Sequence, residues 1–349
     1  MAPAWRSLTA KLQLKRHFHR VEWHLALAHT FERHNKIPLH CLAVFIGDTL
    51  AAVFPNRPVQ LTVGDIELRA IRLVSDPDDV LTARDLIIAP DLANGSFFGG
   101  LVDFMARSDP WWEVISLPGI LADSTAVTAL KESRHLPIVE AAGGAWGRIE
   151  FITCPEGADP FARLSKGFRQ NLRTSHNKLD ATQVTFESAR TASDLARLLP
   201  EFLEVESGGW KGELGTSALK HPAMNTFLRQ LISHFSPGGG CEIHLMRLSG
   251  RPIATLFGIV TDKIWYILRI GYDEAHHRAS PGHLIIEHLL KQREAPISFE
   301  ILTTYNAPPW FHAWKPDVDM GMSDAFVFRP SPDGFNLAQR VATSLYNAK

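Results

Sequence analysis

The sequence predicts a mixed α/β protein built from two domains. Its 349 residues exceed what one hydrophobic core usually supports, and hydrophobic residues make up 45% of them. Strand-like runs alternate with amphipathic helical stretches in both halves of the chain. The boundary falls near residues 155–165, so we predict domains at 1–158 and 159–349.

The first half begins with a loose helical pattern over residues 5–35. After Pro38 the rhythm changes to short strand-like runs separated by turn residues, which is typical of a meander. The expected turns are Gly47-Asp48, Asn56-Arg57-Pro58 and Gly64-Asp65. Helices are predicted at residues 95–110 and 123–135, and strands at "WWEVISLPG" and "GRIEFITCP".

The second half begins with an amphipathic helix over residues 160–180. A strand at 183–189 and helices at 193–206 and 221–235 follow. A hairpin is predicted where Ser249-Gly250-Arg251 joins two apolar runs. The longest strand spans 263–273, a helix opens at Pro281, and "ISFEILTTY" predicts a last core strand.

Charge and cysteine content narrow the class of protein. The net charge of -1 and the pI near 7.0 offer no overall field for nucleic acid. Cys41, Cys154 and Cys241 are far apart and odd in number, as in reduced cytoplasmic proteins. The basic first twenty residues precede no signal-like or membrane-spanning apolar run, so a solvated helix is expected there, with a membrane-surface helix as the alternative.

The segment Arg278-Ala-Ser-Pro-Gly282 opens a helix in an unusual way. Proline suits a first helical turn, whereas glycine costs about 1 kcal/mol relative to alanine. Unpaired N–H groups at a helix start form an anion site, and a missing Cβ lets a phosphate approach. With Ser280 as a cap and Arg278 as a countercharge, the segment suits a pyrophosphate. A plain capped helix packed on a sheet is the alternative.

Several segments taken together resemble the CelD/BcsL-type acyltransferases of the GNAT superfamily, which are relatives of the tandem-domain FemAB transferases. They are "LSKGFRQNLR", "FLEVESGGWKGELGT", "LSGRPIATLFGIV", "GYDEAHHRASPGHLIIEHLL" and "FEIL", with "DLIIAP" and "WWEVISLPGILADS" in the first half. The resemblance covers most of residues 38–315. It implies two GNAT-like domains, each a mostly antiparallel mixed sheet flanked by helices.

The resemblance also implies a function, an acyl-CoA-dependent N-acyltransferase in which an amine attacks the thioester directly. The donor is acetyl-CoA or a longer acyl-CoA, and the acceptor is a small-molecule or peptide amine, with no nucleic-acid partner. In such enzymes the donor lies beside the long strand, with its pyrophosphate at the next helix start. The corresponding positions here are Ile270, Tyr272, Arg278, Ser280, Gly282, His283 and Leu284.

Two departures from the family pattern are visible. Pro281 replaces one of the two glycines that usually follow a Gln or Arg at the helix start. After the last strand, Trp310-Phe311 stand where the family usually has a Tyr-Lys pair, and Trp314 follows. A lysine-dependent step is therefore not carried over from the family.

Amine acylation needs a base, an oxyanion donor and an acid for the departing thiolate. Glu206, near a helix end and beside Trp210, is the first candidate base, and His276 is the second. Tyr305, just past a core strand, is the candidate acid. Trp210, Lys211 and Asp273 are expected to contact the acceptor. A solvated glutamate and a rim tyrosine are the plain alternatives.

Other classes of function stay open. His276, His277, His283 and His288 lie close in sequence, but no HExxH motif is present, so no metal site is predicted. A FemAB-like transferase using aminoacyl-tRNA is the alternative enzyme. A non-catalytic binding module of an envelope or exopolysaccharide pathway is the alternative from another class, because a fold does not fix a function.

Overall fold

The computed structural model describes ten stretches of the chain. They are residues 1–12, 15–34, 39–74, 85–121, 124–142, 148–154, 159–262, 264–292, 297–301 and 309–347. In this part of the protein no helix is both long and apolar enough to cross a bilayer.

The first half alternates helices and strands. Its helices are α1 (Ala2–Ala10), α2 (Val21–His34), α3 (Gly95–Ser108) and α4 (Thr125–Lys131). Its strands are β1 (His40–Ile46), β2 (Thr49–Val63), β3 (Ile66–Leu73), β4 (Ile87–Ile88), β5 (Val114–Leu121), β6 (Ile138–Ala142) and β7 (Arg148–Cys154).

The second half repeats that mixture. Its helices are α5 (Lys166–Asn177), α6 (Ala192–Ser207), α7 (Trp210–Glu213), α8 (Pro222–Phe235), α9 (Pro281–Gln292), α10 (Pro309–His312) and α11 (Pro332–Asn347). Its strands are β8 (Val184–Ala189), β9 (Cys241–Leu248), β10 (Arg251–Thr261), β11 (Ile264–Tyr272), β12 (Ile297–Ile301) and β13 (Asp317–Phe328).

The strands form two mixed, mostly antiparallel sheets that share β13. The path runs β1-β2-β3-β5-β13-β7-β12-β11-β10-β9-β8, with β4 on β2 and β6 on β13. Among the described residues each sheet has one parallel pair, β3 with β5 and β11 with β12. This architecture confirms the predicted fold class. The path crosses the expected boundary at residue 158 three times, since β5 pairs with β13, β13 with β7 and β7 with β12. The division of the chain into domains stays a prediction.

Helices cover both faces of the second sheet. Helices α6 and α8, joined by α2 from the first half, bury one face, on which Phe202, Phe227 and Trp23 are fully enclosed. Helix α9 buries the other face, together with α5 and the aromatic residues Phe311 and Trp314. The first half has separate cores of its own beneath α3, α4 and α11. A ligand must therefore enter at an edge or an end of the second sheet.

Local sequence accounts for many of the boundaries. Thr191 caps α6 by accepting a hydrogen bond from the Asp194 N–H, and Ser165 caps α5 in the same way. Ser249 and Gly250 both have positive φ, as the predicted two-residue hairpin between β9 and β10 requires.

One local prediction was wrong. Asn56-Arg57-Pro58 does not turn but continues β2, which pairs with β3 along this stretch. Pairing with β1 ends at Asn56, so Pro58 lies at an edge, where a missing N–H is tolerated. The helical pattern of residues 5–35 forms two helices, α1 and α2, with a short 3-10 helix at His17–His19 between them.

Candidate active site

The second sheet opens between β11 and β12. Their parallel pairing starts at Ile264 with Ser298 and ends at Ile267 with Ile301. Strand β11 continues to Tyr272, so among the described residues its last part has no partner on the β12 side. A bulge at Leu268 interrupts the pairing with β10 at the same level. Within the described residues no strand covers this side of residues 268–272, a place termed the crevice.

The start of α9 borders this crevice. After β11, Asp273 caps a 3-10 helix at Glu274–Ala279, and Ser280 then adopts a left-handed conformation with φ of 48°. A Cβ on Gly282 would lie 3.5 Å from Cδ1 of Tyr272, an ordinary contact distance. Packing within the protein therefore does not require glycine there. The missing Cβ instead leaves space between the helix start and β11.

The N–H groups of this helix start differ in availability. The His283 and Leu284 N–H groups donate to the carbonyl oxygen of Ser280 at 2.9 and 3.3 Å. For Gly282 the structure gives no such bond among the described residues. Of the N–H groups of Gly282, His283 and Leu284, the last two thus already donate to the Ser280 carbonyl oxygen and are less available to a phosphate.

On the other side of β11 the end of α6 carries a buried carboxylate. The Glu206 side chain is fully buried, and its Oε1 accepts from Nε and Nη2 of Arg269 at 2.9 and 2.6 Å. Its Oε2 accepts from the Ala218 N–H at 2.8 Å. A Cβ on Gly271 would lie 2.6 Å from Cα of Glu206, so glycine is needed for this close approach.

Lys211 completes this cluster. Its Nζ lies 3.5 Å from Oε1 of Glu206 and donates to the carbonyl oxygen of Ile270 at 2.7 Å. Burial and the neighbouring Arg269 charge lower the pKa of Lys211 to about 8, although Glu206 acts in the opposite direction. Lys211 is therefore less fully charged near neutral pH than an exposed lysine.

A short glycine-containing turn brings Lys211 to the strand end. A Cβ on Gly209 would lie 3.4 Å from both the Tyr272 carbonyl oxygen and Oε1 of Glu274. A Cβ on Gly212 would overlap the Ser207 carbonyl. Glycine is therefore needed at position 212, where α7 passes close to the end of α6, whereas a Cβ at position 209 would make only ordinary contacts.

Tyr272 and Tyr305 are the two tyrosines expected at strand ends. Tyr272 is half-buried beside Gly282, and burial and the adjacent Glu274 carboxylate raise its pKa. Tyr305 lies outside the described residues, and so does the side chain of Trp210.

The remaining predicted residues lie around the 3-10 helix. His276 is half-buried, and its backbone N–H donates to the Asp273 carbonyl oxygen. Asp273 lies 3.6 Å from Arg251. Arg278 is exposed, and its carbonyl accepts from Lys178 of α5 at 2.6 Å. The structure thus brings Lys211, Ile270 and Tyr272 to one strand end, while Arg278 lies at the outer rim.

An aromatic group covers the first turn of α9. Nδ1 of His283 accepts from Nε1 of Trp314 at 3.1 Å, and Phe168 and Trp310 contact the same imidazole edge-on. Burial lowers the pKa of His283, so this ring is neutral near pH 7. Trp310 and Trp314 stand out in the sequence only as departures from a family pattern. Trp310 lies on α10, whereas Trp314 follows two residues after its end.

Arg269 is the main residue that sequence reasoning missed. An arginine within the apolar strand "KIWYILRIGYD" was a signal of a buried ionic partner, because charged residues are seldom buried unpaired. In the part of the chain that the structure describes, no three His, Cys, Asp or Glu side chains are placed to hold a metal ion.

Comparison with known proteins fits this geometry. Residues 166–295, which include β11 and α9, match the family model described as Acetyltransferase (GNAT) domain. FemX superposes with a TM-score of 0.61 at 10% identity, over 97% of this chain and 98% of FemX. A tandem GNAT protein from the clavulanic acid biosynthesis pathway gives 0.52 at 12% identity, over 95% of each chain. The C-terminal domain of a putative lysylphosphatidylglycerol synthetase from Agrobacterium fabrum gives 0.50 at 14% identity, over 88% of this chain and 89% of that one.

No curated protein matches the chain by sequence. The matched segment and the fold define the class of protein. Residues 166–295 match a GNAT acetyltransferase domain, and this match supports an acyltransferase. The chain as a whole has a fold similar to that of tandem GNAT proteins and of FemX.

Proposed function

We propose that this protein is an N-acyltransferase of the CelD/BcsL type that transfers an acyl group from acyl-CoA to an amine. The observation that supports this most is the crevice beside residues 268–272, bordered by Gly282 at the start of α9. An extended donor can lie along this part of β11 as a further strand would, beside the Ile270 carbonyl that accepts from Lys211.

The helix start supplies the features that a pyrophosphate needs. Gly282 keeps the approach free of a Cβ, and its N–H is directed along the positive end of the α9 dipole. Arg278 and Lys178 add exposed positive charge at the rim. Because the N–H groups of His283 and Leu284 already donate to Ser280, the Gly282 N–H is the main-chain group that binds the pyrophosphate.

Lys211 is the residue that takes the proton from the attacking amine. A neutral amine becomes cationic as it adds to the thioester carbonyl, and a nearby base must remove that proton. A group with a pKa of about 8 is partly neutral at physiological pH and can accept it. Glu206 and Arg269 hold Lys211 beside Ile270.

Glu206 remains the candidate base predicted from sequence, but its surroundings suggest that it acts through Lys211. Its side chain has no exposed surface, and both carboxylate oxygens already accept hydrogen bonds. An acceptor amine can reach the neutral form of Lys211, since that side chain is 16% exposed, whereas the Glu206 side chain has no exposed surface. Tyr305, by its position after β12, stays the candidate acid, and Tyr272 is the described tyrosine beside the crevice.

A second candidate donor is aminoacyl-tRNA, as in FemAB-type transferases. The likeness to FemX along nearly the whole chain favours it, and α5 presents Lys166 and Arg173 on exposed positions. The two donors can be told apart by binding, because CoA and tRNA differ greatly in size and charge.

A thermal-shift panel of CoA, acetyl-CoA and longer acyl-CoAs tests the proposal. A ligand at 100 times its Kd adds about 2.7 kcal/mol to the free energy of unfolding. We expect a rise in Tm with CoA compounds and release of free thiol when amines are added. Retention of aminoacyl-tRNA without a response to CoA would favour the second donor. A rise in Tm without thiol release for any amine would favour a binding module.

A further inference from the structure

A hydrogen-bonded relay of serine, histidine and glutamate lies on the opposite end of the same sheet. Oγ of Ser188 on β8 lies 2.7 Å from Nδ1 of His244 on β9. Nε2 of His244 lies 2.8 Å from Oε2 of Glu242. The glutamate and histidine are buried, at 2% and 3% exposure, whereas Ser188 is exposed.

The neighbours of Glu242 fix its charge. Oε2 also accepts from Nε1 of Trp265 at 2.9 Å, and Oε1 lies 3.1 Å from Nε of Arg190. Indole and guanidinium groups only donate hydrogen bonds, so the carboxylate must accept from both. An ionised carboxylate is the form that accepts at both oxygens.

This charge fixes the tautomer of His244. An ionised carboxylate cannot donate, so Nε2 of His244 must carry the proton and donate to Glu242. When the ring is neutral, its Nδ1 has a lone pair, and the hydroxyl of Ser188 donates to it. The order of donors is therefore Ser188 to His244 to Glu242, which is the order that activates a hydroxyl nucleophile.

We propose that Ser188 is an activated nucleophile and an acylation site that takes an acyl group from activated esters. Oγ attacks the ester carbonyl carbon while its proton moves to Nδ1 of His244, and Glu242 stabilises the imidazolium. The bond from carbon to the leaving alcohol then breaks, and the proton passes from Nδ1 to that alcohol oxygen. The product is an acyl ester of Ser188, and no redox partner is needed.

The surroundings of Ser188 suit a flat acyl or aryl group. The rings of Phe186 and His288 stack at 3.8 Å, nearly parallel, two residues before Ser188 on β8, where Phe186 is partly buried against the core beneath α9. Arg190, two residues beyond Ser188, places a positive charge on the other side. The relay contacts Trp265 at the beginning of β11, whereas the crevice of the candidate active site lies at its end. The inference does not depend on the proposed transferase function.

Labelling of the full-length protein tests the inference. We expect p-nitrophenyl acetate and a fluorophosphonate probe each to add one group that peptide mapping places on Ser188. Ser188→Ala should abolish this label. Ser193→Ala, which removes an exposed hydroxyl bonded only to Thr191 among the described residues, should leave it unchanged.

Variants of His244 and Glu242 show whether Ser188 is labelled because the relay activates its hydroxyl or only because that hydroxyl is exposed. His244→Gln should slow labelling of Ser188 by about 100-fold or more, the usual range for loss of a general base. Glu242→Gln should slow it as well, and circular dichroism with Tm values identifies variants that remain folded. The inference is overturned if Ser188 takes no label, or if folded His244→Gln and Glu242→Gln variants are labelled as fast as the wild type.

Discussion

Lys211 donates a hydrogen bond of 2.7 Å to the main-chain oxygen of Ile270, in the part of β11 that β12 does not cover. A cation thus occupies the place where a ladder N–H would lie in a continuous sheet. The same ammonium is 3.5 Å from the buried Glu206. This contact links the open edge of the sheet to the charged cluster behind it.

The first prediction concerns the titration of Lys211. We expect its side-chain NMR signal to titrate near pH 8, about two units below an ordinary lysine, because burial and Arg269 disfavour the charged form. Lys211→Met identifies the signal by its loss, and should lower acyl transfer by about 100-fold. Lys220→Met, which removes a lysine bonded to the Gly212 carbonyl in the same segment, should change neither result.

The second prediction separates Glu206 from Lys211. Glu206→Gln removes the anion that raises the pKa of Lys211 while Arg269 continues to lower it, so the Lys211 signal should titrate below pH 8. Removing one partner of a buried pair also costs about 3–5 kcal/mol of stability. If Lys211 is the base, Glu206→Gln should stay active at pH values above the lowered pKa of Lys211, whereas loss of activity there would show that Glu206 is itself the base.

The third prediction concerns Gly282. Gly282→Val should weaken CoA binding measured by calorimetry and leave Tm nearly unchanged, because even the nearest protein atom lies 3.5 Å from the added Cβ. Gly100→Ala on α3, where a Cβ meets nothing within 4 Å, is the control. Unchanged CoA affinity in folded Gly282→Val would remove the helix start from the donor site.

The fourth prediction concerns stability at acidic pH. Burial lowers the pKa of His24 to about 4 and lowers that of His17 well below its ordinary value. The unfolded chain therefore binds more protons than the folded protein below about pH 6.5. The free energy of unfolding should fall between pH 6.5 and 4, by about 3 kcal/mol for His24. Urea titrations should show a smaller fall in His24→Gln, whereas an equal fall would contradict this assignment.

The fifth prediction concerns Arg16, which joins the segment before α2 to β12. Its Nη1 lies 2.6 Å from Oε2 of Glu300, and the two side chains are only 3% and 6% exposed. Arg16→Met should lower the free energy of unfolding by about 3–5 kcal/mol, because it leaves a buried carboxylate without its cation. Arg6→Met breaks a pair whose arginine is 54% exposed, and should cost about 1 kcal/mol or less. Equal costs would show that burial does not set the strength of the Arg16 pair.

Local patterns in the sequence were sufficient for most elements of the second half. The strand predicted at 263–273 is β11 at Ile264–Tyr272, and the helix predicted to open at Pro281 begins there. The hairpin at Ser249-Gly250 formed because glycine and serine can take positive φ in a two-residue turn. These features depend on neighbouring residues, so a single sequence contains them.

The turn expected at Asn56-Arg57-Pro58 failed for the opposite reason. The residues there favour a turn, but their backbone pairs with β3, which lies further along the chain, and so it stays extended. Composition alone cannot report such a pairing, because it depends on which strands become neighbours.

The sequence by itself determined the mixed α/β class, the long strand followed by a glycine-containing helix start, and the candidate residues near Glu206 and Lys211. Only the tertiary structure decided their partners. Arg269 meets Glu206 because β11 passes beneath the end of α6, and Ser188 meets His244 because the register of β8 on β9 sets them opposite each other. Such contacts join residues about 60 positions apart. Strand register and helix packing fix them, and both follow from the burial of the whole core rather than from any local motif.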